Sequence, residues 1–179
     1  MSLFGSHGAR GLDHVGLTVP DLEAAVAFMT EVLGAKVAFQ HGPYAASSSN
    51  PRQFGRPADS SVVGIVMLTL GRTNVELLQF SSPTARTDSP KPDEAGACHI
   101  ALYIDDLDGA VTTAAAAGLE VLGEAMHLPG PESGEGARFV FMRAPWGGLV
   151  ELVSYPLGKE HMTRIPHVLQ DLRSHHLLD

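Results

Sequence analysis

Asp13-His14-Val15-Gly16-Leu17-Thr18-Val19-Pro20-Asp21-Leu22 returns 85 positions later as Cys98-His99-Ile100-Ala101-Leu102-Tyr103-Ile104-Asp105-Asp106-Leu107. Each copy alternates over the length of a strand, reaches an aspartate suited to cap a helix, and runs into an Ala-rich segment with helical spacing. A repeat on this scale means a duplicated supersecondary unit, which must be recognised before any other signal is read.

Working outward, the first copy predicts a strand over Leu12–Val19, a helix capped by Asp21 and closed by Gly34, and strands over Lys36–Gln40, Ser61–Leu70 and Thr73–Phe80, with Gly71-Arg72 as a hairpin turn. The second predicts a strand over His99–Ile104, a helix from the Asp106 cap to Ala117, and strands over Glu120–Glu124, Ala137–Met142 and Leu149–Tyr155. The fold class is therefore α+β. Two tandem βαβββ modules, residues 11–80 and 98–156, are joined by a linker over 81–97 and expected to form half-barrel sheets around a shared metal cavity. A tail over 157–179 reads as an added helix, with Ile165, Val168, Leu169 and Leu172 at helical spacing. The stretch 41–59 is too long and too rich in Ser, Pro and Gly for an ordinary hairpin, which suggests a lid.

Composition narrows the function. The 179 residues hold 12 Lys and Arg against 20 Asp and Glu, a net charge of −8 without a basic run, so nucleic acid and anionic membrane are excluded as expected partners. The single cysteine, Cys98, rules out an internal disulfide and reads as a small buried hydrophobe. No apolar stretch approaches the roughly 18 residues of a membrane span, and the first residues lack the pattern of a signal peptide. A soluble, cytoplasmic protein is expected, and the apolar stripe of the tail suggests a homodimer.

Four polar residues interrupt strands that otherwise read as buried: His14 and Glu76 in the first module, His99 and Glu151 in the second. Strand alternation puts His14 on a face with Gly16 and Thr18, Glu76 with Asn74 and Leu78, and Glu151 with Leu149 and Val153. A lone strand histidine is ordinarily a hydrogen-bonded core residue, and a lone strand glutamate is ordinarily solvated. Repetition of both changes the reading, because two carboxylates brought together inside a fold need a cation. Two imidazoles and two carboxylates suit one divalent ion, Zn, Ni, Co, Mn or Fe(II), with positions left for substrate. Arg52 and Arg56, in the 41–59 loop, are candidates for binding an anionic group of a small-molecule substrate. Trp146 is expected to pack the turn between the last two strands, and the four tail histidines, His161, His167, His175 and His176, to bind metal only adventitiously.

With Asp-His-Val-Gly-Leu at His14, Val-Glu-Leu-Leu at Glu76, His-Ile-Ala-Leu at His99 and Trp-Gly-Gly-Leu-Val-Glu-Leu-Val at Glu151, the chain resembles the vicinal oxygen chelate superfamily. The likeness covers Gly11 to Tyr155. That family holds glyoxalase I, methylmalonyl-CoA epimerase, extradiol dioxygenases, fosfomycin-resistance transferases and bleomycin-binding proteins. A His-Glu-His-Glu set is that of bacterial-type glyoxalase I, whereas the epimerases usually carry Gln where Glu76 stands. The resemblance thus implies a metal-dependent lyase or isomerase of the glyoxalase I type, with Glu151 and Glu76 as ligands that also move a proton beside a carbonyl. An epimerase, an Fe(II) dioxygenase and a non-catalytic binding or resistance protein are the alternatives.

Overall fold

The structure, a computed structural model, describes residues 11–46 and 55–156. Two four-stranded mixed sheets carry it, built to one plan and matching the expected α+β class. The first contains β1 (Val15–Thr18), β2 (Lys36–His41), β3 (Ser61–Leu70) and β4 (Thr73–Ser81) in the order β1-β4-β3-β2. The second contains β5 (His99–Tyr103), β6 (Val121–His127), β7 (Arg138–Arg143) and β8 (Leu149–Ser154) in the order β5-β8-β7-β6. In each, the opening strand runs parallel to the last and the remaining neighbours are antiparallel. The tail, its apolar stripe and its histidines lie outside the described residues.

Helix α1 (Leu22–Ala27) begins where the Asp21 side chain accepts from the amide of Ala24 at 3.0 Å, and α2 (Leu107–Ala116) where Asp106 accepts from Gly109 at 3.0 Å. Capping of this kind is worth about 1 kcal/mol per helix. The expected single helix to Leu33 is instead α1 followed by a π turn over Phe28–Val32, closed by Gly34 at φ 73°. Strand β1 is shorter than expected: pairing with β4 begins at Val15, and Leu12 stands 79% exposed. Strand β6 runs longer than its apolar pattern, to His127, through an irregularity between Leu122 and Met126 where Gly123 takes φ 81°.

The chain divides into two compact units that meet between Ser89 and Pro90, the first also taking Pro145–Gly147. In the first, α1 packs on β3 and β4, and Leu68, Leu77, Val75 and Val66 are buried together with Ala25, Phe28 and Met29. Burying a side chain of this size contributes about 1.5–3 kcal/mol. A Cβ at Gly64 would come within 2.8 Å of Leu22 Cδ2, so a larger residue there would make the Leu22 side chain shift. Trp146 does more than pack a turn. Its ring meets Phe28 edge-on at 5.6 Å, and its carbonyl accepts from Ser89 Oγ at 2.6 Å. In the second unit, α2 packs on β6 and β8, with Val140, Met142, Val150 and Leu152 buried.

Candidate functional site

Sheet register, not sequence spacing, decides what the four polar residues can touch. In β1 and β4, Gly16 pairs with Glu76; in β5 and β8, Ala101 pairs with Glu151. Each histidine lies two residues before that small partner and therefore on the same face. With almost nothing between them, imidazole and carboxylate reach each other. His14 Nε2 stands 3.7 Å from Glu76 Oε2, and His99 Nε2 stands 3.2 Å from Glu151 Oε2. The glutamates are the drier members, with side chains 20% and 14% exposed against 37% and 49% for the histidines.

Those separations suit ligands of one ion. Two donors bound at about 2.1 Å lie about 3 Å apart at right angles and about 3.4 Å apart at the tetrahedral angle; the second pair falls in that range and the first stands slightly wider. Within each unit the structure brings together one histidine and one glutamate. Among the described residues, no group of three or more His, Cys, Asp and Glu side chains gathers at metal-binding distance.

The surroundings of the two pairs differ. His14 Nδ1 contacts Asp13 Oδ1 at 2.7 Å, and this hydrogen bond raises the His14 pKa above 6.5 against the opposing effect of burial, with lesser help from the charge of Glu76. Asn74 Nδ2 donates to the Asp13 carbonyl at 3.1 Å, tying the approach to β1 onto β4. The place of Asp13 is taken in the second unit by Cys98, which is exposed. The expectation of a buried cysteine fails because the residue precedes the first paired position of β5. His99 rests instead on Phe141, edge-on at 5.4 Å, and Phe141 is the β7 partner of Glu151. Phe139, Tyr103 and Tyr155 continue this apolar face, the two tyrosines stacked at 5.8 Å.

Arg56 is half-buried. Its Nη1 donates to the carbonyl and, at 2.8 Å, to the hydroxyl of the buried Ser60, so it closes the end of its own loop. Arg52 lies outside the described residues. Strand alternation had already put Gly16 and Asn74 on the faces of His14 and Glu76; Asp13, Ala101 and Phe141 are the neighbours that sequence reading did not single out. One signal for them existed: the 85-residue offset aligns Gly16 with Ala101, both small, and Asp13 with Cys98, which do not match.

A family model described as Glyoxalase/Bleomycin resistance protein/Dioxygenase superfamily matches residues 13–141. The chain is similar to a 2-epi-5-epi-valiolone epimerase of Actinomyces sp., 37% identical over 157 residues covering 86% of this chain and 84% of the relative. It is 32% identical to an ethylmalonyl-CoA/methylmalonyl-CoA epimerase of Cereibacter sphaeroides over 146 residues, 79% of this chain and 95% of the relative. A glyoxalase family protein from Bacillus cereus superposes with a TM-score of 0.64 at 21% identity, covering 82% and 94% of the two chains. The fosfomycin resistance protein FosX of Listeria monocytogenes, solved with Mn(II), superposes with a TM-score of 0.53 at 18% identity, covering 83% and 95%. These two structural likenesses concern the fold.

Proposed function

The chain belongs to the glyoxalase/bleomycin resistance protein/dioxygenase superfamily, and from that premise we propose that it is a divalent-metal-dependent epimerase of a small carbonyl compound. The observation that carries the proposal is the twice-built His–Glu pair, His99 with Glu151 at the spacing of neighbouring ligands and His14 with Glu76 slightly wider. Both relatives named as epimerases support the reaction class, since a ketone and a malonyl thioester alike have a carbon beside a carbonyl whose proton can be exchanged. This shifts the expected chemistry from the glyoxalase I type to epimerisation.

His14, Glu76, His99 and Glu151 would hold the ion. When bound, a divalent ion supplies positive charge at the substrate carbonyl and so lowers the cost of removing the neighbouring proton. The protein's own work is proton movement. One glutamate, as carboxylate, takes the proton from the carbon beside the carbonyl; the other, as carboxylic acid, gives a proton to the opposite face; water then takes the proton from the first and returns one to the second. Glu151 is the stronger candidate for removal: its side chain is the drier of the two glutamates, 14% against 20% exposed, and Phe141 stands opposite it on β7. A glyoxalase-type proton shift to the adjacent carbon is a second reading, favoured by Glu rather than Gln at position 76. As an assembly we propose a homodimer, which sedimentation at micromolar concentration tests.

The deciding experiment incubates the metal-loaded full chain with 2-epi-5-epi-valiolone, and separately with methylmalonyl-CoA, in deuterated water. Deuterium entering beside the carbonyl, with inversion at that carbon and dependence on added metal, is the expected result. Metal-loaded protein that leaves both substrates protonated overturns the epimerase proposal.

A further inference from the structure

We propose that Asp13 is a positioning residue that holds His14 in its Nδ1-protonated tautomer and so presents Nε2 as a preset metal ligand, an arrangement that none of the described residues provides for the second pair. The proposal rests on the metal reading above. An ionised carboxylate has no hydrogen to give, so the 2.7 Å contact between Asp13 Oδ1 and His14 Nδ1 fixes the hydrogen on Nδ1. Which imidazole nitrogen is left free for metal is set by the bond the other one makes. Here the free nitrogen is Nε2, the atom that stands 3.7 Å from Glu76 Oε2.

The device is anchored on the strand that carries the carboxylate. Asn74, two residues before Glu76 on β4 and on the same face, donates from Nδ2 to the Asp13 carbonyl at 3.1 Å. One strand therefore supplies the glutamate and also sets the backbone from which Asp13 and His14 project. In the second unit, Cys98 offers no carboxylate, and the contact of His99 with Phe141 constrains the ring without choosing its protonated nitrogen. The Asp13 side chain is 88% exposed, so its replacement leaves packing intact. Carboxylates that accept from a ligating histidine raise its affinity for metal, and their loss typically costs about 10–100-fold.

The test uses the full chain, labelled with ¹⁵N at histidine and kept at a pH where imidazoles are neutral. In the metal-free wild type, His14 should show a protonated Nδ1 and an unprotonated Nε2. Asp13→Ala should shift His14 toward the Nε2-protonated form and weaken Zn binding about 10–100-fold. Asp13→Asn should retain the tautomer, because an amide oxygen accepts the same hydrogen, and His99 should be unchanged in all three proteins. A wild-type His14 protonated at Nε2, or Asp13→Ala with unchanged tautomer and affinity, overturns the positioning role and leaves the metal reading standing. Wild-type protein that takes up no Zn overturns the metal reading, and the metal-free tautomer then still decides whether Asp13 sets the ring.

Discussion

The two units use one strand order, one aspartate cap and one His–Glu geometry, yet they hold their histidines in different ways. In the first unit a charged neighbour bonds the ring and a side-chain amide bonds the backbone; in the second an aromatic edge supports the ring. Duplication preserved what register demands, the small residue facing each glutamate. It did not preserve what surrounds the histidine, because several kinds of contact can orient a ring. The first pair thus has the more polar surroundings, while the second combines the drier glutamate with the more exposed histidine.

The most drastic way to break the comparison is to remove one imidazole. If both pairs share one ion, His14→Ala and His99→Ala should each take metal from about one per chain to near none, measured on protein without a purification tag and truncated after Pro156, away from the tail histidines. Retention of a full ion in either variant would mean that the pairs work separately.

The glutamates sharpen the contrast next. Glu151→Gln retains a coordinating oxygen but no basic carboxylate, and proton exchange with deuterated solvent should fall by about 10² to 10⁴ while much of the metal stays. Glu76→Gln should be milder. Equal losses would make the two carboxylates equivalent, and full exchange in metal-loaded Glu151→Gln would remove Glu151 as the base.

Gly16→Ala gives the first pair the small residue of the second. The added Cβ would lie 3.5 Å from Leu78 Cδ1 and 3.7 Å from Glu76 Oε2, ordinary contacts at a position with no positive φ. Metal affinity should be unchanged and stability should rise by less than about 1 kcal/mol, read from denaturant melts. Gly16→Val, which adds bulk against Glu76, should lower affinity.

The smallest effect is on pH dependence. Since the folded His14 pKa is raised above 6.5, chiefly by the Asp13 hydrogen bond, this contact stabilises the metal-free protein fully below pH 6.5 and ceases to do so as pH rises through the raised value. Asp13→Ala should therefore narrow the stability of metal-free protein at pH 5.5 and leave it unaltered at pH 9.

Much of this was legible in the sequence. Alternation and the 85-residue offset fixed both modules, since a strand with one covered face must alternate and two copies of one pattern fold alike. Asp21 and Asp106 as caps, Gly34 as a helix stop and Gly71-Arg72 as a two-residue turn are local chemistry, decided within a few residues. Spacing along the chain also singled out His14, Glu76, His99 and Glu151. Tertiary structure decided the rest. Parallel pairing of the first and last strand of each module placed Gly16 opposite Glu76 and Ala101 opposite Glu151, residues 60 and 50 positions apart that no local pattern connects. It also brought Arg56 to Ser60, exposed Cys98, and set Asn74 against the Asp13 carbonyl and Phe141 against His99, because such contacts depend on which segments become neighbours and not on what any strand is made of.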